Sequence, residues 1–235
     1  MSIILQKPPF ISDIKQFGKY IVSHKKGVTL DFFAQEFGKL RTLYERNHQE
    51  DYFCQQADIL ADKLVQRDRL DFAGIVMSTL CKVNEYFPHN LEYFAQKGYD
   101  ISRMNGDYVH MMARLNDLRK IYSKKPDRLL EYLDVLYEQE RCLKHVTMNY
   151  RDSVASYRTI SRKAAPRQSY EMMLAFIQTE IAKLTRRKHP ESAMYKLQSA
   201  MRIFEKNQSY DNANYTELLM RKIEAGDDRF IDMYI

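Results

Sequence analysis

The sequence predicts an all-α fold of stacked antiparallel helix pairs, with a globular helical bundle as the alternative arrangement. Two observations carry the helical prediction. Gly and Pro are scarce, 7 and 6 in 235 residues, and they fall between stretches where apolar side chains recur every three to four positions. No run of alternating apolar and polar residues bounded by turns competes with that period. A composition of 45% hydrophobic and 29% charged residues argues for a packed core over disorder. A chain of this length buries roughly 70% of its unfolded surface, so it needs no disulfide or metal to fold.

The elements follow from the punctuation, about ten helices in all. After Pro8-Pro9, Ser12 and Asp13 are N-cap types ahead of Ile14, Phe17, Tyr20 and Ile21, a stripe that Gly27 ends. Thr29 can cap a second helix carrying Phe33, Phe37, Leu40 and Tyr44, so residues 1–50 are expected as an N-terminal helical hairpin. Further stripes run through Ala57, Leu60, Ala61 and Leu64, then Ala73, Val76, Met77, Leu80 and Val83. Pro88 opens Leu91, Phe94, Ala95 and Gly98, which precede Met111, Leu115, Leu118 and Ile121. Pro126 opens Leu129, Leu133, Leu136 and Leu143, and Pro166 opens Met173, Phe176, Ile177, Ile181 and Leu184. Pro190 opens Met194, Leu197, Met201 and Phe204, which closes a helical body expected over 51–206. Leu218, Leu219 and Ile223 mark a short C-terminal helix within a tail of 207–235.

The body carries an internal repeat. Pro88 and Pro126 lie 38 positions apart, and aligning them places Leu70, Ala73, Met77, Leu80 and Val83 opposite Tyr108, Met111, Leu115, Leu118 and Ile121. Gly98-Tyr99, then Asn105-Gly106-Asp107-Tyr108, an apolar run and Pro126 resemble a tetratricopeptide repeat over about 51–126. That resemblance implies a small residue where two helices approach closely, a Gly-containing turn between them, and a stack of pairs whose first helices line a groove for a partner. The first copy departs from it, with Arg67-Asp68-Arg69-Leu70 in place of the Gly-containing turn. Residues 26–38, from Lys26-Gly27-Val28-Thr29 to Phe37-Gly38, resemble the first half of a repressor-type helix-turn-helix. That likeness stops at Gly38, where Lys39-Leu40-Arg41 follows and one amphipathic helix continues.

Enzyme chemistry finds little footing. The chain has no G-x-x-x-x-G-K-[ST], no G-x-G-x-x-G, no G-x-S-x-G and no H-E-x-x-H. Asp107 and His110 stand one helical turn apart, too few to hold a metal, and Cys142 and His145 share a face as ordinary packing residues. No catalytic residue, metal or cofactor is expected. Cys54, Cys81 and Cys142 form no C-x-x-C pair, and the first residues lack the features of a signal peptide, so a reduced, cytoplasmic chain is expected. Uncharged apolar runs such as Phe72 to Leu80 fall far short of the roughly 20 residues of a membrane span.

Two surfaces are expected to bind. On the repeat, Tyr93, Lys97, Asp100 and Arg103 are the side chains least needed for the core of their helix, and they are the candidate groove for a protein partner. Residues 151–190 hold nine basic against three acidic side chains, an excess equal to the +6 of the whole chain. There Arg151, Arg158, Arg162, Lys163 and Arg167 interleave with Tyr150, Tyr157 and Tyr170, and Lys183, Arg186, Arg187 and Lys188 follow. Guanidinium groups grip phosphate and tyrosines stack on bases, so nucleic acid is the alternative partner, and an acidic protein would suit the same charges.

Overall fold

The computed structural model describes Gln35, Lys39 and Leu40 and then residues 50–85, 88–153 and 166–227. Most of the expected N-terminal hairpin, the helix-turn-helix likeness and the basic residues Arg158, Arg162 and Lys163 lie outside the described residues. Among those described, the fold is all-helical and holds no strand. It comprises α1 (Glu50–Gln66), α2 (Leu70–Val83), α3 (Pro88–Met104), α4 (Tyr108–Tyr122), a 3-10 turn (Pro126–Arg128), α5 (Leu129–Met148), α6 (Arg167–Thr185), α7 (Pro190–Lys206) and α8 (Tyr210–Glu224). No described helix is long and apolar enough to cross a membrane. The chain divides into two compact units between Ile121 and Tyr122.

In the first unit α1 packs on α2 and α2 on α3. The stripes expected there are the core: Ala57, Leu60, Ala61, Leu64, Ala73, Val76, Met77 and Leu80 are all buried, together with Phe53 and Phe72. Two of the links between its helices share one backbone design. After α3, Gly106 adopts φ +65°, its N–H bonds Arg103 C=O at 3.1 Å, and Asp107 N–H bonds Ser102 C=O at 2.9 Å. This pair of bonds satisfies carbonyls that the end of the helix leaves unpaired. After α1, Asp68 takes φ +56° and the same two bonds form, from Asp68 N–H to Val65 C=O and from Arg69 N–H to Leu64 C=O. The turn that the sequence appeared to lack is thus made without glycine, because a short polar side chain tolerates the left-handed region. Gln208, between α7 and α8, does likewise at φ +58°.

Gly98 lies where α3 meets α2 and α4. A Cβ there would stand 2.9 Å from Arg114 Cδ and 3.0 Å from Met77 Cβ. Gly74, in the interior of α2, faces open space.

In the second unit α6 packs on α5 and α7, and α7 on α8. Ala182, Ala193, Leu197 and Leu219 make one core cluster, and Ala175, Ala200, Phe204 and Ala213 another. Three residues of the expected stripes fall elsewhere. Leu129 is exposed in the first turn of α5, although it shares a face with the buried Leu136 and Leu143; the core side of that helix also carries Tyr132, Val135, Gln139, Cys142 and Val146. Phe176 is 46% exposed and packs one edge on Phe204, with ring centroids 5.0 Å apart. Leu218 is exposed beside the fully buried Leu219, since neighbours on a helix point about 100° apart. The buried Glu140 joins three helices here, accepting hydrogen bonds from Lys196 Nζ at 2.5 Å and Gln178 Nε2 at 3.2 Å, with Lys144 Nζ at 2.8 Å.

Candidate functional site

The groove residues expected from the sequence lie on α3, and two of them seal it to α1. Tyr93 donates its hydroxyl to Asp58 Oδ2 at 3.0 Å. Lys97 Nζ bridges Asp58 Oδ1 and Asp62 Oδ1, both at 2.7 Å. Ascending numbers on α1 meet ascending numbers on α3, so the two helices run side by side in the same direction. Burial works against the charge on Lys97, but the two carboxylates outweigh it and hold the ammonium above its usual range. Burial also raises the Tyr93 phenol, and the hydrogen bond to the Asp58 carboxylate raises it further. At neutral pH the seam therefore holds the Tyr93 phenol and the Lys97 ammonium in their proton-donating forms.

Beyond the hydrogen-bonded atoms of the seam the two helices expose apolar surface, part of it on Tyr93 itself. Tyr52 and Ile59, seven residues apart on α1, are 44% and 46% exposed, and Tyr93 and Met104, eleven apart on α3, are 53% and 58% exposed. Spacings of seven and eleven bring side chains to one face of a helix. Asp100 is half-buried, and Arg103 is exposed with its guanidinium 5.9 Å from the Tyr99 ring centroid. The structure thus brings Tyr93 and Lys97 together on the seam and leaves Asp100 and Arg103 further along α3. Asp58 and Asp62 were not singled out in the sequence. Their signal was there: an acid pair four apart, set 35 positions before the pair Tyr93 and Lys97, also four apart.

The basic region is less uniform than its composition. Arg151, Arg167, Arg187 and Lys188 are exposed, and Arg167 pairs with Glu171 at 3.2 Å. Arg186, only 5% exposed, turns its guanidinium back onto the Lys183 carbonyl. Lys183 is half-buried against α6's own neighbours and lines a cleft.

The remaining reactive side chains have structural partners. Asp107 caps α4: its Oδ1 accepts the His110 N–H at 3.0 Å and its Oδ2 lies 2.6 Å from His110 Nδ1. Burial raises the Asp107 carboxyl, but the His110 side chain and the His110 and Val109 backbone N–H groups more than reverse that and hold it below its usual range. Asp107→Ala is expected to destabilise by about 0.5–2 kcal/mol through the lost cap. Because the folded pKa is depressed, that stabilisation is present above the ordinary aspartate range and lost as pH falls through the folded value. Urea titrations of both proteins at neutral and acid pH check it, the gap closing in acid. Burial pushes the Cys81 and Cys142 thiols up to about 11, and Cys54 is buried where Asn84 Nδ2 donates to its sulfur at 3.3 Å. Thiols held protonated at neutral pH are poor nucleophiles and poor metal ligands. Among the described residues no three His, Cys, Asp or Glu side chains are placed to hold a metal ion.

Comparison with protein-family models, with curated proteins and with solved structures finds no match to this chain.

Proposed function

We propose that this protein is a non-enzymatic adaptor that docks a segment of a partner protein across the outer faces of α1 and α3. One observation carries the reading: the Tyr93–Asp58 and Lys97–Asp58–Asp62 contacts fix two parallel helices edge to edge while Tyr52, Ile59, Tyr93 and Met104 stay exposed on them. Apolar side chains held out from a rigid helix pair are spent anchors unless something covers them, and exposed apolar patches on such surfaces mark interaction sites. The resemblance of 51–126 to tetratricopeptide repeats, which receive partners on their first helices, points the same way. The partner segment expected is one that offers two or three apolar side chains at helical or extended spacing, with mixed charges that meet Lys97, Asp100 and Arg103.

A displayed library of random 16-residue peptides tests this. Selected peptides are expected to lose at least tenfold in affinity against Ile59→Asp and against Tyr93→Ala, and to keep their affinity for Arg187→Ala/Lys188→Ala. Selection of no binder, or binders indifferent to both groove variants, would overturn the reading. The alternative, an RNA- or DNA-binding regulator using 150–188, is supported by the exposure of Arg151, Arg187 and Lys188. It predicts the reverse pattern with labelled RNA or DNA: loss on the Arg187→Ala/Lys188→Ala change and a log–log salt slope of roughly −0.7 per phosphate contact on single strands.

A further inference from the structure

The second unit contains a cleft of about 420 Å³ between the stretch around the 3-10 turn, the start of α5 and the end of α6. That size lies within the roughly 300–1,000 Å³ of small-molecule sites and is too small for a macromolecular partner. Its walls are partly apolar, with the rings of Tyr122 and Tyr132 and the side chains of Leu129 and Leu184. The Arg128 guanidinium lies 4.4 Å from the Tyr122 ring centroid and backs that wall. The charged groups are unequal: Lys125 and Lys183 bring two cations, while Glu180 is the one carboxylate among the lining residues. That carboxylate is already engaged, since the Tyr132 hydroxyl donates to Glu180 Oε1. Burial works against the ammonium of Lys183, Glu180 offsets this in part, nearby Arg186 adds to it, and the net effect lowers the Lys183 pKa. An anion entering the cleft would restore what burial removes.

We propose that the cleft binds a small amphipathic anion, a planar apolar body set against Tyr122, Tyr132 and Leu184 with its carboxylate or phosphate turned to Lys183 and Lys125. The two lysines select the charge, and the apolar walls select an organic anion over a bare inorganic one. A cation is disfavoured because the lining carries two lysines against one carboxylate.

Calorimetric titration of the full chain with a matched probe series tests the proposal. The probes are 1-naphthoate, 1-naphthyl phosphate, the neutral 1-naphthalenemethanol, the cationic 1-naphthylmethylamine and inorganic phosphate. Saturable one-to-one binding is expected for naphthoate, naphthyl phosphate or both, at least tenfold tighter than for the alcohol, with no binding of the amine or of phosphate alone. Whichever of the first two binds more tightly names the anionic group. In Lys183→Met the naphthoate or naphthyl phosphate affinity is expected to fall at least tenfold towards that of the alcohol, and Lys183→Arg is expected to recover part of it. Leu129→Trp, at an exposed position on the rim, is expected to weaken every probe that binds. Equal affinity for the charged and neutral naphthalenes, no saturable binding of either anion up to millimolar concentration, or unchanged anion affinity in folded Lys183→Met would each overturn it. The comparison of charged with neutral probes uses the unaltered protein and stands even if a variant fails to fold.

Discussion

Replacing Gly98 with leucine is expected to destabilise the first unit by about 1–3 kcal/mol, while replacing Gly74 with alanine is expected to stabilise it by up to about 1 kcal/mol. Both glycines sit in helix interiors, where a glycine is normally the poorer helix former. Their surroundings decide the sign. At Gly98 the new Cβ meets Met77 Cβ at 3.0 Å, an atom fixed to the α2 backbone, as well as the flexible Arg114 Cδ at 2.9 Å. Arg114 can move aside, but Met77 Cβ moves only with its helix. The larger leucine would have to part α3 from its neighbours. At Gly74 nothing lies within 4 Å of the new carbon, so only the gain in helix propensity remains. Urea denaturation of the three proteins checks this, and an unchanged midpoint in Gly98→Leu would show that the helices do not meet there.

Removing the Glu140 carboxylate is expected to have the largest effect of any single change in the second unit. Glu140 is 4% exposed and Lys196 9% exposed, and they meet at 2.5 Å. Glu140→Ala leaves the Lys196 ammonium buried without its counter-charge, which costs about 3–5 kcal/mol in comparable buried pairs. Glu140→Leu combined with Lys196→Met removes both charges and is expected to recover most of the loss, because a buried pair gains little over apolar side chains of similar size. Acid gives an independent check. Burial raises the Glu140 carboxyl, but Lys144, Lys196 and Gln178 outweigh burial and lower it from the ordinary value of 4.5. A depressed folded pKa contributes stability that is present above the unfolded value and lost as pH falls through the folded one. The gap between the unaltered protein and Glu140→Ala is therefore expected to hold at neutral pH and to shrink below pH 4.5. A gap independent of pH would assign the loss to packing alone.

What the sequence made legible was whatever depends on period and punctuation. The stripes of 57–64 and 73–80 are core, the prolines at 88, 126 and 190 open helical segments, and the crowding at Gly98 sits where the aligned repeat put a small residue. What it hid depends on the third dimension. Asp68 and Gln208 make left-handed turns that glycine usually marks, and only the backbone angles reveal it. Asp58 and Asp62 look like surface acids until α3 is laid beside α1. Glu140 reads as one more charge on α5, yet it meets partners 38 and 56 residues later. Arg186 belongs to a basic cluster by composition and to the interior by geometry, since one step along a helix turns a side chain by about 100°. For the groove, Tyr93 and Lys97 were singled out on α3, but the Asp58 and Asp62 they attach to were not readable from α3 alone.

The packing of each helix on its sequence neighbours sets how this chain acquires its structure in time. Most described helix contacts join elements one link apart, and the farthest side-chain hydrogen bond described here, Lys196 to Glu140, closes a loop of 56 residues. Contacts this local carry a small loop-closure entropy, and such topologies reach the native state in microseconds to milliseconds. Each helical hairpin can form before its neighbour arrives, so a nascent chain leaving the ribosome can bury apolar surface pair by pair. The same locality lets a terminal pair open without the rest, and amide hydrogen exchange would then fall in steps from the ends of each unit towards its middle.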